Sequence, residues 1–362
     1  MLAAASAFSI FFSSPAYPCA SLSHKSGSLA ESDAGEAIFS LDGDESVVEY
    51  QVTYTGDATD FGWIIPIPSE FVSLEDGDAA RFDALRDVSQ PQVDFYFWDG
   101  DDSGGGGCFC AGKGSDNVKG FSDTGSGGDQ LAVEIVAEGF TGSYDYTVVN
   151  SDSPSDLTTW LDENGWDAGY DADTISGYAE DGFSFALITI TPTENETPEE
   201  GRSLPPVKLR MSGSQMIFPA RMASTASTNT QRTILYVLGD STAAVTDGWA
   251  QTSFDYIDGT INDDDPSTLY DNALWEITGD TAAYALVYSS EVESQWLTRF
   301  ETWASRSVHT ADVTIEFTDS QEDTQTRVEM HEDGGVETGL AWMFLPLLSG
   351  WAIRRRNEPL ED

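Results

Sequence analysis

Apolar residues in this chain come in short runs cut by glycine, proline and aspartate, and that spacing limits what it can fold into. Such runs suit strands of a packed sheet better than long helices. Ala37 to Leu41 is predicted as a strand ended by the turn Asp42-Gly43-Asp44, and Val47 to Thr55 as its partner. Phe61 to Pro68 (FGWIIPIP) is almost wholly apolar and is closed by two prolines, so it is predicted as a core strand. An aromatic ligand platform at Trp63 is the functional alternative for that stretch. Further strands are expected at Val93 to Trp98, Gln130 to Ala137, Gly142 to Val149, Phe183 to Thr191 and Val207 to Ser212. Met216 to Met222, Arg232 to Leu238, Ala283 to Ser289 and Val308 to Phe317 complete the set.

Helical spacing is rarer. Phe82, Leu85 and Val88 mark a short helix over Ala79 to Val88. Ser153-Pro154-Ser155-Asp156 opens a helix over Leu157 to Asn164, with Gly165 placed to close it in the left-handed conformation. Asp173 to Glu180 is a third, and Val292 to Ala304 carries the apolar spacing of an amphipathic fourth. The expected class is α+β, with mainly antiparallel β-sheets, a few short helices and one C-terminal transmembrane helix.

The two ends set the expected compartment. Met1 to Phe12 is an apolar run followed by Ser13-Ser14-Pro15-Ala16, with small residues placed for a signal-peptide cut after Ala16, although no Lys or Arg precedes the run. Gly339 to Ile353 is uncharged and precedes Arg354, Arg355 and Arg356. As a helix at about 1.5 Å per residue it reaches roughly 22 Å, short of the ~30 Å bilayer core. Trp342 and Trp351 are placed for the two interfaces, and the arginines would stay cytoplasmic with the bulk of the chain outside. The expected organisation is a signal peptide at 1–16, a β-rich part at 17–98 and a Gly/Ser/Asp-rich loop or linker at 99–128. An α+β part at 129–320, a polar stalk at 321–338, a transmembrane segment at 339–353 and a cytoplasmic tail at 354–362 follow.

Sixty-three acidic residues stand against sixteen basic ones, a formal net charge of −47. That charge repels nucleic-acid phosphates and excludes nucleic acid as a partner. It fits an acidic surface selected in a saline habitat. With 40% hydrophobic residues the chain still has enough apolar mass for a packed core.

Three cysteines, Cys19, Cys108 and Cys110, leave at least one thiol without an intrachain partner. The Cys-x-Cys pair is too close to bridge itself comfortably, so Cys19 with either Cys108 or Cys110 is the expected link. His24, His309 and His331 show no metal-ligand spacing, and pairing of Cys108 with His309 as a nucleophile has no specific support. Ser126 and Ser214 lack the strand–elbow–helix context of a hydrolase serine. Asp99-Gly100-Asp101-Asp102 and Asp263-Asp264-Asp265 offer hard oxygens that suit Ca²⁺, but neither has the spacing of an EF-hand loop, and solvated turns are the expected reading. No cofactor is expected.

Several segments in order resemble one bacterial family. Tyr54-Thr55-Gly56-Asp57-Ala58 through Phe61 to Pro68 is similar to its YxGxAxDFxWxxPxP core. Gly142-Ser143-Tyr144-Asp145 through Trp160-Leu161-Asp162-Glu163-Asn164-Gly165-Trp166 is similar to its second segment. Tyr178 to Gly182, Pro205-Pro206-Val207, Phe218 to Met222 and Val237 to Asp240 follow in the same order. The family is the one catalogued as domain of unknown function 2330, and the resemblance spans about Cys19 to Tyr288. Members often begin with a Cys-Gly-Gly-Phe-Phe-Cys-like element; here Ala20 to Lys25 follow Cys19, so the second cysteine is missing. The resemblance implies an exported envelope protein and transfers no catalytic residue. The C-terminal end resembles sorting-type membrane tails, without their cysteine motif.

The expected function is therefore a membrane-anchored extracytoplasmic envelope protein, structural or binding another envelope component. The alternative is an extracytoplasmic hydrolase or thiol-dependent enzyme whose site is assembled from distant residues.

Overall fold

The structure, a computed structural model, describes residues 21–24, 34–52, 61–96, 132–166, 171–190, 204–225, 229–261 and 263–332. In chain order the first elements are β1 (Ser21–His24), β2 (Ala34–Asp42), β3 (Glu45–Val52), β4 (Phe61–Ile67), β5 (Phe71–Asp76) and α1 (Ala79–Ser89). Next come β6 (Gln92–Tyr96), β7 (Val133–Phe140), β8 (Tyr144–Ser151), α2 (Pro154–Glu163), α3 (Ala172–Glu180) and β9 (Ser184–Ile190). Then follow β10 (Val207–Ser212), β11 (Met216–Phe218), α4 (Ala220–Thr225), β12 (Thr230–Gly239), β13 (Ala243–Thr246), β14 (Ala250–Ser253) and β15 (Tyr256–Thr260). The last are α5 (Pro266–Thr278), β16 (Ala283–Val292), β17 (Gln295–Ser305), β18 (Val313–Phe317), β19 (Thr324–Gln325) and β20 (Arg327–His331).

Among the described residues these strands make four sheets. The largest runs β14-β16-β17-β12-β2-β3-β10-β5, with β19 added beside β16. A five-stranded sheet runs β1-β4-β9-β8-β7, and two three-stranded sheets run β11-β18-β13 and β15-β20-β6. Most pairs are antiparallel, as expected; β12–β2, β14–β16, β15–β20 and β20–β6 are parallel. The β2–β3 hairpin turns at the predicted place, with Gly43 at φ +65°, a conformation glycine adopts without a Cβ penalty.

The main core lies where the five-stranded sheet and the β11-β18-β13 sheet meet one face of the largest sheet. Trp63, Ile65, Tyr144, Val148 and Ile188 pack there with Phe39, Val48, Leu235, Val237 and Phe300. The far face of the five-stranded sheet is covered too: Ile64, Val149, Phe185 and Leu187 lie under Leu157, Leu161, Ile175 and Tyr178. Double coverage explains why the β4 sequence is a continuous apolar run rather than an alternation.

The far face of the largest sheet carries charge as well as apolar side chains. Phe82 and Leu85 of α1 pack on Ile38, Ile234, Tyr236 and Leu297. Beside them Glu301 of β17 is fully buried. Its carboxylate accepts from Arg232 Nε at 2.6 Å and from Arg299 Nη2 and Tyr270 Oη, each at 2.8 Å. Arg299 also donates to the Ser89 carbonyl at the end of α1, and Arg232 to Asp271 of α5. Buried Glu36 accepts from Arg86, and buried Glu49 from Arg81, both on α1. Burial pushes the Glu301 carboxyl up, but Arg232 and then Arg299 outweigh it and hold the group below the usual carboxylate range.

Several expectations are corrected. Val292 to Ala304, predicted as a helix, forms the end of β16 and most of β17, paired on both sides by β16 and β12. Residues 296–302 are all buried, so both faces of the strand are covered and the apolar spacing no longer reads as alternation. Met216 to Met222 is not one strand: β11 stops at Phe218 and α4 follows. The stretch at 321–338 does not begin as a stalk, because β20 is the middle strand of the β15-β20-β6 sheet. Strands from either side of the segment 99–128 alternate in the same sheets, so 17–98 and 129–320 interleave. No helix among the described residues is long and apolar enough to cross a membrane, and 339–353 lies outside them.

Glu301→Gln is expected to cost about 3 kcal/mol in urea unfolding, because two buried guanidinium groups lose their counter-charge. Glu301 is held low in the folded state. Its contribution is therefore present at neutral pH and is lost as pH falls through its folded value. The variant should accordingly show a flatter acid limb of stability than the parent.

Candidate functional site

Helix α2 is set by its own sequence. Ser153 caps its start by accepting from Asp156 N, and Pro154 occupies the first turn, where no amide donor is needed. At its end Gly165 takes φ +83°, donating its N–H to the Asp162 carbonyl at 3.2 Å, while Trp166 N donates to the Leu161 carbonyl at 2.9 Å. This double closure is a Schellman motif, and it turns the chain so that Trp166 folds back onto the sheet. The Trp166 ring fits because position 62 is glycine: a Cβ there would lie 2.5 Å from its Cη2.

Between α2 and the five-stranded sheet lies a cleft of about 440 Å³. Trp160, Asn164 and Trp166 border it from the helix side, and Ile135, Glu138, Asp145, Thr147, Leu187 and Thr189 from β7, β8 and β9. Register explains the floor. Glu138 pairs with Thr147 and Phe140 with Asp145, so these side chains share the face that α2 covers. Asn164 Nδ2 donates to the Trp160 carbonyl at 2.8 Å, which ties its amide to the helix. On the opposite face Tyr146 lies over Gly139, where a Cβ would sit 2.5 Å from its hydroxyl, and packs on Phe71 at 6.2 Å. Two indole rings lining one cleft with two exposed carboxylates suit a cation-bearing ligand, which gains from both aromatic and charged neighbours.

A second, wider cleft of about 710 Å³ is lined by Arg221, Ser224, Arg306, Ser307, His309 and Thr310, among others. His309 is 5% exposed, and burial depresses its pKa, so the ring is neutral at pH 7. Its Nδ1 lies 3.1 Å from the Ser305 carbonyl, which only accepts, so the proton sits on Nδ1 and Nε2 carries the lone pair. Among the described residues Nε2 has no hydrogen-bond partner, and the ring stands edge-on to Trp249 at 5.1 Å. Arg221 is committed elsewhere. It donates to Asp312 at 2.9 and 3.1 Å and to Asp181 at 2.9 Å, and lies 4.2 Å over the Tyr178 ring. Tyr178 in turn donates to Asp312 at 2.5 Å and accepts from Met222 N. Burial, then Asp312, pushes its hydroxyl well above the usual range.

The sequence candidates scatter. Cys19, Cys108, Cys110, Arg354, Arg355, Arg356 and Asp99 to Asp102 lie outside the described residues. His331 is exposed on β20, stacked on Tyr96 at 5.0 Å and 3.3 Å from Asp258, far in sequence and sheet from His309. Asp265 caps α5 by accepting from Thr268 N, and Asp264 accepts from Thr260 N, so two of the three adjacent aspartates serve local backbone. Among the described residues no three His, Cys, Asp or Glu side chains converge as metal ligands. Trp63 is no platform: it is 0% exposed and packs against Tyr144 at 5.8 Å, which corrects that alternative. Of the residues that do meet, Asp145, Trp160 and Trp166 stand in the second segment of the family resemblance but were given no site role, and Glu138 was not singled out in sequence. Their available signal was the capped helix: Gly165 implies that the next residue turns back over it.

The segments that carry the family resemblance also meet here. Gly62 from the first makes room for Trp166 from the second, and Tyr178 and Arg221 from later segments stack on each other. A profile of the family described as "Uncharacterized protein conserved in bacteria (DUF2330)" matches residues 14–321. No curated protein matches. Among solved structures, the crystal structure of baculovirus P35 aligns at 8% identity with a TM-score of 0.29, over 82% of this chain and 96% of that one. Similarity that weak carries no conclusion about fold or activity.

Gly62→Ala is expected to push the Trp166 ring from its seat and cost about 1–3 kcal/mol of stability. The added methyl would also meet the Ile188 carbonyl oxygen, a backbone atom that cannot swing away. Thermal melting with tryptophan fluorescence checks both effects.

Proposed function

From the premise that this chain belongs to the DUF2330 family of uncharacterised bacterial proteins, we propose that it is an exported envelope protein that binds a partner through the α2 cleft. Residues 1–16 direct export, residues 339–353 hold the chain in the membrane, and Arg354, Arg355 and Arg356 keep the tail cytoplasmic. The bulk of the chain then stands outside. The single observation that carries the binding role is the cleft itself. Two tryptophans and an amide from α2 and its closing turn, with one carboxylate each from β7 and β8, converge on about 440 Å³, the size and chemistry of a ligand site. The acidic exterior supports a partner that carries positive charge, because such a surface raises its local concentration.

A second reading has one observation in its favour. The neutral His309 ring lines an open cleft with Ser305, Ser307 and Thr310; its unprotonated Nε2 is itself buried, so a general-base role in an extracytoplasmic hydrolase requires that nitrogen to be uncovered when substrate binds. Turnover of chromogenic ester or peptide substrates, abolished by His309→Ala, would establish that reading in place of binding.

The envelope assignment is tested in the native host. Protease shaving of intact cells should release fragments of 35–332, and mass spectrometry of the membrane fraction should find a mature N-terminus at Tyr17 with the tail retained. Full-length protein with both ends intact in the cytosolic fraction would overturn it.

A further inference from the structure

Taking the α2 cleft as the binding site, we propose that its partner is an extended, lysine- or arginine-bearing segment of another polypeptide, added as a strand beside β7. The inference depends on that assignment and names the partner class.

Strand β7 ends the five-stranded sheet, and among the described residues it pairs only with β8. Its other side therefore presents main-chain donors and acceptors in a row, a template for a further strand. Edges of this kind are usually blunted by lysine, proline or short length. β7 reads VEIVAEGF over eight residues, with neither lysine nor proline. It is blunted against a like strand by Glu134 and Glu138 and by a register shift between Ile135 and Ala137, after which pairing with β8 resumes through Phe140. Its apolar side chains are unusually open: Phe140 is 62% exposed, Ile135 48% and Val136 43%. An open, apolar edge on a soluble surface calls for a covering partner.

Charge decides which partner. The acidic side chains of β7 are Glu134 and Glu138, and the chain has a formal net charge of −47. A second copy of the same strand would bring glutamates together and is opposed by the whole field of the protein. A basic strand is favoured for the same reason. A strand added beside β7 sends alternate side chains to the α2 face. A lysine or arginine there meets Glu138, with Asp145 and the Trp160 indole further into the cleft. Phe140 and Ile135 stand on that same α2 face, where the aliphatic stems of the basic residues cover them, and the residues between face the opposite side beside Ala137.

Fluorescence anisotropy of labelled peptides on the full chain tests this. The probe is a short peptide of alternating lysine and valine, beside its glutamate–valine counterpart and a version methylated on every backbone nitrogen. Saturable binding of the lysine peptide alone is expected. Backbone methylation should weaken it by at least about ten-fold, through loss of ladder hydrogen bonds. The pair Glu138→Gln and Asp145→Asn, both at exposed positions, should weaken it by about ten-fold, with the folded state confirmed by an intact cooperative melt. Equal binding of the methylated peptide would overturn strand addition while leaving the cleft as a site. Equal binding by the charge variants would overturn the cleft assignment itself. No binding of the lysine peptide, or equal binding of the glutamate peptide, would overturn the inference outright.

Discussion

A buried carboxylate governs how this acidic chain assembles. Glu301 lies at 0% exposure in the largest sheet, and it is tolerable there only because Arg232, Arg299 and Tyr270 all direct donors at it. The chain has few cations to give, sixteen against sixty-three acids, yet several arginines serve this one face. Arg81 and Arg86 of α1 reach Glu49 and Glu36, Arg299 reaches the end of α1, and Arg232 reaches Asp271 of α5. Specific pairing thus fixes both helices to the far face of the sheet. The near face is uncharged at its centre, where Phe39, Leu235, Val237 and Phe300 lie with the neutral Thr233, Thr298 and Thr302, and it receives the five-stranded sheet. The sheet that carries the cleft is positioned by a surface whose charge has been sorted to the other side.

That sorting explains what could be read in advance. Local signals held: the Asp42-Gly43-Asp44 turn, the Ser153 cap and the Gly165 closure depend on neighbours in sequence and appear as expected. The FGWIIPIP run is the buried strand β4, and β10 has its predicted limits. Failures came where two covered faces removed alternation. In β17 Leu297 and Phe300 point to opposite cores, while Arg299 and Glu301 are buried by pairing rather than exposed, so the pattern mimicked a helix. The polar look of 321–338 hid β20 because only Val328 and Met330 of that strand are buried, its other face being open.

The cleft was illegible for a different reason. Each of its parts is unremarkable in its own segment: glutamate in a strand, aspartate after a turn, tryptophan in a helix. Glu138 and Asp145 become neighbours only through the β7–β8 pairing, Glu138 opposite Thr147 and Phe140 opposite Asp145, which requires the turn between the strands to be placed to the residue. The histidines show no ligand spacing in sequence and do not meet in space: His309 is buried in the connection after β17, and His331 is exposed at the end of β20.

Long-range charge and local geometry act on different steps of binding in such a site. A net charge of −47 draws any basic segment towards the surface but does not distinguish one acidic patch from another. Salt would weaken that attraction across the whole exterior, most where the carboxylates are open to solvent. Discrimination needs features that salt does not erase. The edge of β7, unpaired on one side among the described residues, would fix the direction of an incoming chain, the indole of Trp160 would reward a cation over a neutral group, and the backbone closure at Gly165 keeps Trp166 in place. In a strongly saline medium the edge and the two rings would therefore set the affinity, while the surrounding acids keep copies of the protein apart.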